Sequence, residues 1–469
     1  MTASTVDQAA PLDRALRLFT DVRAGEGVTA LLLALNVLLL LCAYYIIKPV
    51  REALILSHEG AEVKSYAAAG QALLLLILVP AYGALADRLP RRKLLNVVTG
   101  FFIVCLVVFW ALARARVPVG VPFFLWVGIF NLMIVAQFWS FANDLYTKDQ
   151  GERLFPIVAF GASLGAVGGS LLTNRLIPLV GVPQLLLVAA ALLALAAMLS
   201  NHVDARERHQ AEAGIPVRFT TAAVPAATGE YEVVTKGDKK TVTLSRTGLP
   251  PKPGTFRLVF GDRYLLLIAL MILVLNWVNT TGEYILSRTL TAAASVAVAK
   301  DATGGLSEAE FIGAFYSQFY FVVNSVGILL QLFVVSRIFK YSGVQVAVLV
   351  APILATVGYT AIALFPVLAV VRWVKVAENA NDYSLQNTVR NVLFLPTSRE
   401  QKYKAKQVID SFFVRTGDVL SALLVFVGTS QLRFGTPQFA KVNLVLALCW
   451  LVLAVLVGRA YRQKTAGLA

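Results

Sequence analysis

For its length this sequence is poor in charge: 15% of its 469 residues are Asp, Glu, Lys or Arg, against 58% hydrophobic. Soluble domains carry about a quarter charged and half apolar residues. An ordinary soluble globular protein is therefore excluded, and the chain reads as an integral membrane protein. Cysteine and histidine are scarce too, with three of each. Cys42, Cys105 and Cys449 sit singly inside apolar runs without metal-ligand spacing, as small packing residues do. His58, His202 and His209 fall in expected loops, so neither a metal site nor a Ser-His-Asp arrangement is indicated. A Gly-x-x-x-x-Gly-Lys-Ser/Thr run is also missing, which argues against a primary ATP-driven pump. Neither an enzyme nor a cofactor is expected.

What the chain has in quantity is long apolar runs. Stretches able to cross roughly 30 Å of hydrocarbon as helix fall at 28–47, 65–86, 94–113, 121–142, 154–178, 183–200, 263–287, 311–335, 343–363, 367–390, 408–430 and 438–460. The runs are continuous and lack the alternation of a barrel strand. The expected fold class is an all-α membrane protein with twelve transmembrane helices in two six-helix bundles. The expected division is a segment 1–27, a bundle 28–200, a central loop 201–262, a second bundle 263–460 and a tail 461–469.

The net charge of +15 would suggest a nucleic-acid partner until the basic residues are placed along the chain. Most lie in the termini and in the loops on the same side, so the positive-inside rule puts both termini in the cytoplasm. A bilayer is then the expected environment, with the bacterial inner membrane as its location, a monomer as the state and no nucleic acid as partner. Residues 1–27 mix arginines with Asp7, Asp13, Asp21 and Glu26 and lack an apolar h-region, which argues against a cleaved signal. Leu12, Leu16, Phe19 and Val22 at helical spacing suggest an interfacial helix. Within the central loop, EYEVVTKGDKKTVTLS reads as two short strands about a turn, followed by the linker LPPKPG.

A charge at bilayer depth costs at least about 2.5–3.5 kcal/mol, so those that persist usually face a cavity or each other. Lys48, Arg51 and Glu52 end the first run, beside Pro49, which interrupts helical hydrogen bonding. In the tenth, Arg372, Lys375, Asn379, Asp382 and Gln386 recur on one helical face, with Glu378 beside it, as a polar stripe suited to a water-filled path. The seventh carries Asn276, Asn279 and Glu283 with Thr280; the eleventh carries Asp410, Arg415 and Asp418. Basic groups from several spans around one cavity suit an anion, because arginine forks and lysine point charges bind phosphate or carboxylate. Mutual pairing that pins helices together is the competing reading for each residue. Gly161, Gly165, Gly168 and Gly169 suggest either a phosphate cradle or, at this spacing inside a span, close helix packing.

GALADRLPRRK resembles the signature between the second and third helices of the major facilitator superfamily: Gly83, Asp87, Arg88, Arg91 and Arg92 match, with Pro90 in place of a glycine. The resemblance implies alternating access, with this loop helping to hold one conformation. Three stretches resemble the ATP/ADP translocase family of plastids and intracellular bacteria: YSLQNTVRNVLFLPTSREQKYKAKQVID (Tyr383 to Asp410), FWSFAN (Phe138 to Asn143) and Lys48-Pro-Val-Arg51-Glu52. Ala68 stands where the plastid branch has a transport-linked lysine, with Lys64 nearby at the expected mouth. This resemblance implies a nucleotide or related phosphorylated anion as substrate. On it, Lys48, Arg51, Arg372 and Lys375 would hold phosphate charge and Asn276, Asn279 and Asn379 would orient the ligand. Glu52, Glu283, Glu378, Asp382, Asp410 and Arg415 would serve gating or ion coupling. Two alternatives remain, a proton-coupled carrier of another organic anion and a lipid-handling or partner-binding membrane protein.

Overall fold

The apolar run before Lys48 contains nothing to break a helix, and α1 extends over Gly27–His58. The computed structural model describes residues 20–23, 25–86, 90–212, 231–236, 239–244, 254–398 and 400–466. After α1 come α2 (Gly60–Ala86), α3 (Arg91–Arg114), α4 (Gly120–Leu145), α5 (Lys148–Val180) and α6 (Leu185–Glu212). Strands β1 (Tyr231–Lys236) and β2 (Lys239–Leu244) pair antiparallel, with Tyr231 opposite Leu244 and Lys236 opposite Lys239. There follow α7 (Gly254–Gly261), α8 (Arg263–Ala299) and α9 (Glu308–Leu329). A π-helical turn, Leu330–Val335, leads into α10 (Ser336–Tyr341), and α11 covers Gly343–Leu364. The next helix comprises α12 (Leu368–Asn381), a π turn Asp382–Gln386 and α13 (Asn387–Val392). The one after it comprises π turns Gln401–Ala405 and Ile409–Phe413 around α14 (Lys406–Val408), then α15 (Val414–Ser430). Last comes α16 (Thr436–Ala466).

Among the described residues, ten helices are long and apolar enough to cross a membrane, each at an expected span. The two expected spans outside that ten fall on α2 and on the helix formed by α12 and α13, which carries Arg372, Lys375, Glu378 and Asp382 within about three turns. The expected loop after residue 200 begins instead as helix, because α6 continues to Glu212. Its apolar face persists in the fully buried Val203, and its polar groups find partners: Asp204 with Arg208 at 2.9 Å, and Glu207 accepting from the Thr29 hydroxyl at 2.6 Å. The expected helix over Leu12, Leu16 and Phe19 lies outside the described residues, as do Asp87 and Arg88. Gly83 lies in α2 and Arg91 opens α3, where Arg92 Nε donates to Asn201 Oδ1 at 3.2 Å.

Buried side chains form two clusters, one from α1–α6 and one mainly from α7–α16. Glycine decides how the first is assembled. A Cβ on Gly161, Gly165 or Gly169 of α5 would lie 2.4–2.5 Å from the carbonyl oxygen of Ala34, Leu38 or Cys42 of α1. No side chain fits there, so these glycines are for helix packing and not a phosphate cradle; Gly168 faces away. Pro49 gives no N–H to the Tyr45 carbonyl four residues back. The Thr173 hydroxyl of α5, which donates to the Gly169 carbonyl at 2.8 Å, lies 3.4 Å from the Tyr45 oxygen as a weaker second contact. In the second cluster Gly417 of α15 meets the backbone of Leu273 and Trp277 on α8 in the same manner.

The two sets of helices are joined unevenly. Among the described residues, hydrogen bonds between them run from Lys48 and Tyr383, midway along, to one end only. They link Glu62 with Tyr284 (2.9 Å), Lys64 with Ser287 (2.8 Å) and Asn174 with Ser317 and Gln318 (3.3 Å). Gly313 packs there against Ile177 and Val182. At the opposite, terminus-bearing end the charged groups bond within their own set. Arg153 grips Glu26 with both guanidinium nitrogens at 2.9 and 3.0 Å, and Lys464 holds Asp262, the N-cap of α8, at 3.0 Å. Burial opposes the charge on Glu26, but hydrogen bonds from Arg153, the Arg23 backbone and Gln150 outweigh it and hold its carboxyl below the usual range. For Asp262, burial is likewise outweighed, by Lys464 and the N–H groups of Tyr264 and Leu265.

Candidate functional site

The seam between the two sets of helices holds three buried lysines, Lys48, Lys64 and Lys375, and the first and last have opposite surroundings. Lys375, on α12, is 0% exposed. Its ammonium donates to Glu378 Oε2 and Asn279 Oδ1, each at 2.9 Å, and lies 3.4 Å from Glu283 Oε1. The Tyr359 hydroxyl donates to Glu378 at 2.9 Å, and Asn379 Nδ2 to Glu283 at 3.1 Å. Gly282 makes this approach feasible, since a Cβ there would stand 2.1 Å from the Tyr359 hydroxyl oxygen and 3.1 Å from Lys375 Nζ. Lysine, carboxylates, amides and hydroxyl thus satisfy one another, as a buried charge requires.

Lys48, on α1, is 7% exposed, and among the described residues it has no carboxylate within ion-pair distance. Four tyrosines surround it instead. Its ammonium is 4.1 Å from the ring centre of Tyr320, 5.1 Å from Tyr45, 5.6 Å from Tyr44 and 5.9 Å from Tyr383, and it donates to the Tyr383 hydroxyl at 3.4 Å. Ring faces attract a cation without cancelling its charge. Tyr316 and Tyr320 sit four residues apart on α9 with their rings stacked, and Tyr45 meets Tyr320 edge to face. One turn beyond Lys48, Glu52 is buried between Arg51 and Lys64, whose ammonium is 2.6 Å away. Lys64 also reaches Ser287 Oγ and, at 3.4 Å, the Tyr316 hydroxyl of the other set.

Several sequence expectations change here. Lys64 is not at a mouth: it is buried in the seam, because Glu52 of α1 offers the carboxylate it needs. Arg372 does not join Lys375; its guanidinium lies 5.3 Å from the Phe315 ring centre and 5.9 Å from that of Trp373. Asn276 also turns away, donating to the Val414 carbonyl (2.7 Å) and Asp418 Oδ1 (2.8 Å), and so ties α8 to α15. Asp418 accepts from Thr280 and Arg415 as well, while Asp410 pairs with Arg390 at 2.8 Å. The four expected cations therefore do not share one opening. Lys48 and Arg51 lie on consecutive turns of α1, Lys375 is neutralised within its own set, and Arg372 stands apart. Asn279, Asn379, Glu283 and Glu378 do gather at Lys375. Sequence reasoning missed Ser287, Tyr316, Tyr359 and Gly282; the one available signal was the i, i+4 tyrosine pair on α9.

The Major Facilitator Superfamily profile matches residues 33–377. The chain belongs to that superfamily. A facilitator of this kind is a secondary carrier, and the described helices and their two clusters fit that architecture. Solved structures with the same fold include a bacterial homologue of the human lysosomal transporter Spinster in an inward-facing, unoccupied conformation. It is 15% identical, with a TM-score of 0.54, and the match covers 93% of this chain and 98% of that one. The nucleoside transporter NupG is 12% identical, with a TM-score of 0.57 and coverage of 93% and 99%. A D-xylose–proton symporter is 13% identical, with a TM-score of 0.58 and coverage of 91% and 96%. A search of curated proteins finds no match. The chain is thus an integral, multi-pass membrane carrier of the facilitator fold.

Proposed function

We propose that this facilitator carries an organic anion with an aromatic ring, nucleotides and related phosphorylated anions being the favoured class, and that Lys48 is the anchoring charge. The observation behind this reading is the buried Lys48 ammonium held by four tyrosine rings, with no carboxylate partner among the described residues. An incoming anion meets that ammonium with no competing carboxylate, and a flat ring gains aromatic faces on Tyr44, Tyr45 or Tyr320. Of the seam cations Lys48, Arg51, Lys64 and Lys375, Arg51 and Lys64 pair with Glu52 and Lys375 with Glu283 and Glu378, so Lys48 is the one of the four without a carboxylate at ion-pair distance among the described residues. A single such cation favours a nucleotide of low charge over a triphosphate. With the termini in the cytoplasm of a bacterial cell, the joined end faces outward and the conformation is inward-facing. Twelve spans in two bundles, acting as a monomer, complete the reading. A carrier of another ring-bearing organic anion is the second reading, since the cage selects charge and flatness and not a base.

The test is thermal unfolding of the purified protein with nucleoside mono-, di- and triphosphates, inorganic phosphate and citrate. Monophosphates are expected to raise the unfolding temperature most, and Lys48→Met to abolish the effect. Equal responses to phosphate and nucleotides, or a nucleotide response that survives Lys48→Met, would overturn the assignment.

A further inference from the structure

At the terminus-bearing end the short helix α7 lies just ahead of the membrane helix α8, and a cleft of about 660 Å³ opens where they meet. It is lined by Arg257, Leu258 and Gly261 of α7, by Asp262 and Arg263 at the start of α8, and by Gln401 of the π turn Gln401–Ala405. That volume suits a small ligand. Among the described residues, neither Arg257 nor Arg263 makes an ion pair or a side-chain hydrogen bond, and both are exposed. Asp262, the acid in the lining, is already engaged. Its carboxylate accepts from the N–H groups of Tyr264 and Leu265, from Gln401 Nε2 at 3.0 Å and from Lys464 at 3.0 Å. Lys464 answers its charge, which leaves two guanidinium groups at the cleft with no acid to hold. The same short helix also carries bare aromatic rings. Phe256 packs edge to face on Phe412 at 5.3 Å and Phe260 lies 6.3 Å from Phe413, yet Phe260 and Phe412 remain 60% and 45% exposed. Arg257 and Phe260 are three residues apart and so are neighbours on the α7 surface.

We propose that this cleft holds the headgroup of an anionic phospholipid, with its phosphate against Arg257 and Arg263 and its acyl chains over Phe260 and Phe412. The two halves of such a lipid match the two halves of the surface. Guanidinium forks bind phosphate, and a short helix with basic and aromatic groups suits the level where headgroups give way to chains. A free phosphate would use the arginines and leave the rings bare. Bound there, the lipid ties α7 to α8 and to the π turn, all within the second set of helices, and makes the stability of the carrier depend on the bilayer around it. The cleft is separate from the Lys48 cage midway along the seam, so the proposal does not rest on what the carrier transports.

The test is thermal unfolding of the full-length protein in a non-ionic detergent, titrated separately with phosphatidylglycerol, phosphatidylcholine and glycerol phosphate. Each variant is compared with itself before addition, so a change in its basal stability does not confuse the reading. Phosphatidylglycerol is expected to raise the wild-type unfolding temperature saturably, by roughly 2–4 °C, and phosphatidylcholine to raise it clearly less. Glycerol phosphate, which has the phosphate without the chains, should leave it unchanged. Arg257→Gln and Arg263→Gln should each need about tenfold more phosphatidylglycerol, as expected when one charged hydrogen-bond donor is lost, and the double variant should lose the response. Two controls should keep it in full. Arg337→Gln with Lys340→Gln removes two charges from α10, which leads into the turn where Gln345 meets Arg462 of α16 at the same end, and Lys48→Met removes the caged lysine. An equal response to phosphatidylcholine or to glycerol phosphate, a double arginine variant that keeps the effect, or a control that loses it overturns the proposal.

Discussion

Lys48 and Lys375 are both buried lysines at the seam of one molecule, yet they illustrate two solutions to the same electrostatic problem. Lys375 is enclosed by Glu378, Glu283 and Asn279, all from its own set of helices, and its charge is cancelled where it stands. Lys48 is enclosed by aromatic rings from both sets, with no carboxylate at ion-pair distance among the described residues. The first arrangement is complete without a ligand and serves structure. The second is compensated only weakly and is therefore the place where an anion gains most. The helix contacts differ in degree: α1 meets α5 at three glycines set against backbone carbonyls, whereas α8 meets α15 at one, Gly417, and adds side-chain hydrogen bonds among Asn276, Thr280 and Asp418 and between Thr281 and Ser421.

Replacing each lysine by methionine should separate the two. Lys375→Met strands Glu283 and Glu378 in a buried site, and a loss of about 3–5 kcal/mol is expected, read as a large fall in unfolding temperature. Adding Glu378→Gln to that variant should recover part of the loss. Next in size, Gly282→Ala drives a methyl group into the Tyr359 hydroxyl, and about 1–3 kcal/mol should be lost; Gly168→Ala, which meets open space, is the matched control. Lys48→Met should leave stability within about 1 kcal/mol, because the cation–π attraction it removes is offset by relief of a buried charge. A drop as large as that of Lys375→Met would erase the distinction between the two sites.

The smallest effect compares the terminus-bearing ends of the two sets. Glu26 and Asp262 both have folded-state carboxyls held below their unfolded values. Each therefore contributes stability that is whole above the unfolded value, about 4.3 for Glu and 3.9 for Asp, and is lost as pH falls through the folded one. After solvent screening the loss should be at most about 1 kcal/mol apiece. Unfolding measured from pH 6 to pH 3 should lose part of its acid slope in Glu26→Gln and, separately, in Asp262→Asn.

Where the helices lie was largely legible, because twenty apolar residues in a row have few other fates. The tenth span was legible as a helix and as a polar stripe, but its side chains part company: Lys375 and Asn379 turn to the α8 carboxylate, Arg372 to Phe315. Periodicity places residues on a face without saying what stands opposite. Lys64 was misplaced for the same reason, since its partner Glu52 is on another helix and its contacts Ser287 and Tyr316 are in the other half of the chain.

Composition and run length by themselves determined that this chain lives in a bilayer as helices, since hydration of so much apolar surface and of unpaired backbone groups leaves no cheaper arrangement. Which charges cancel and which survive was decided only in three dimensions. A buried ion pair depends on distances of a few ångströms between residues far apart in sequence, and only the packing of α1 against α9 and of α8 against α12 brings those residues within reach.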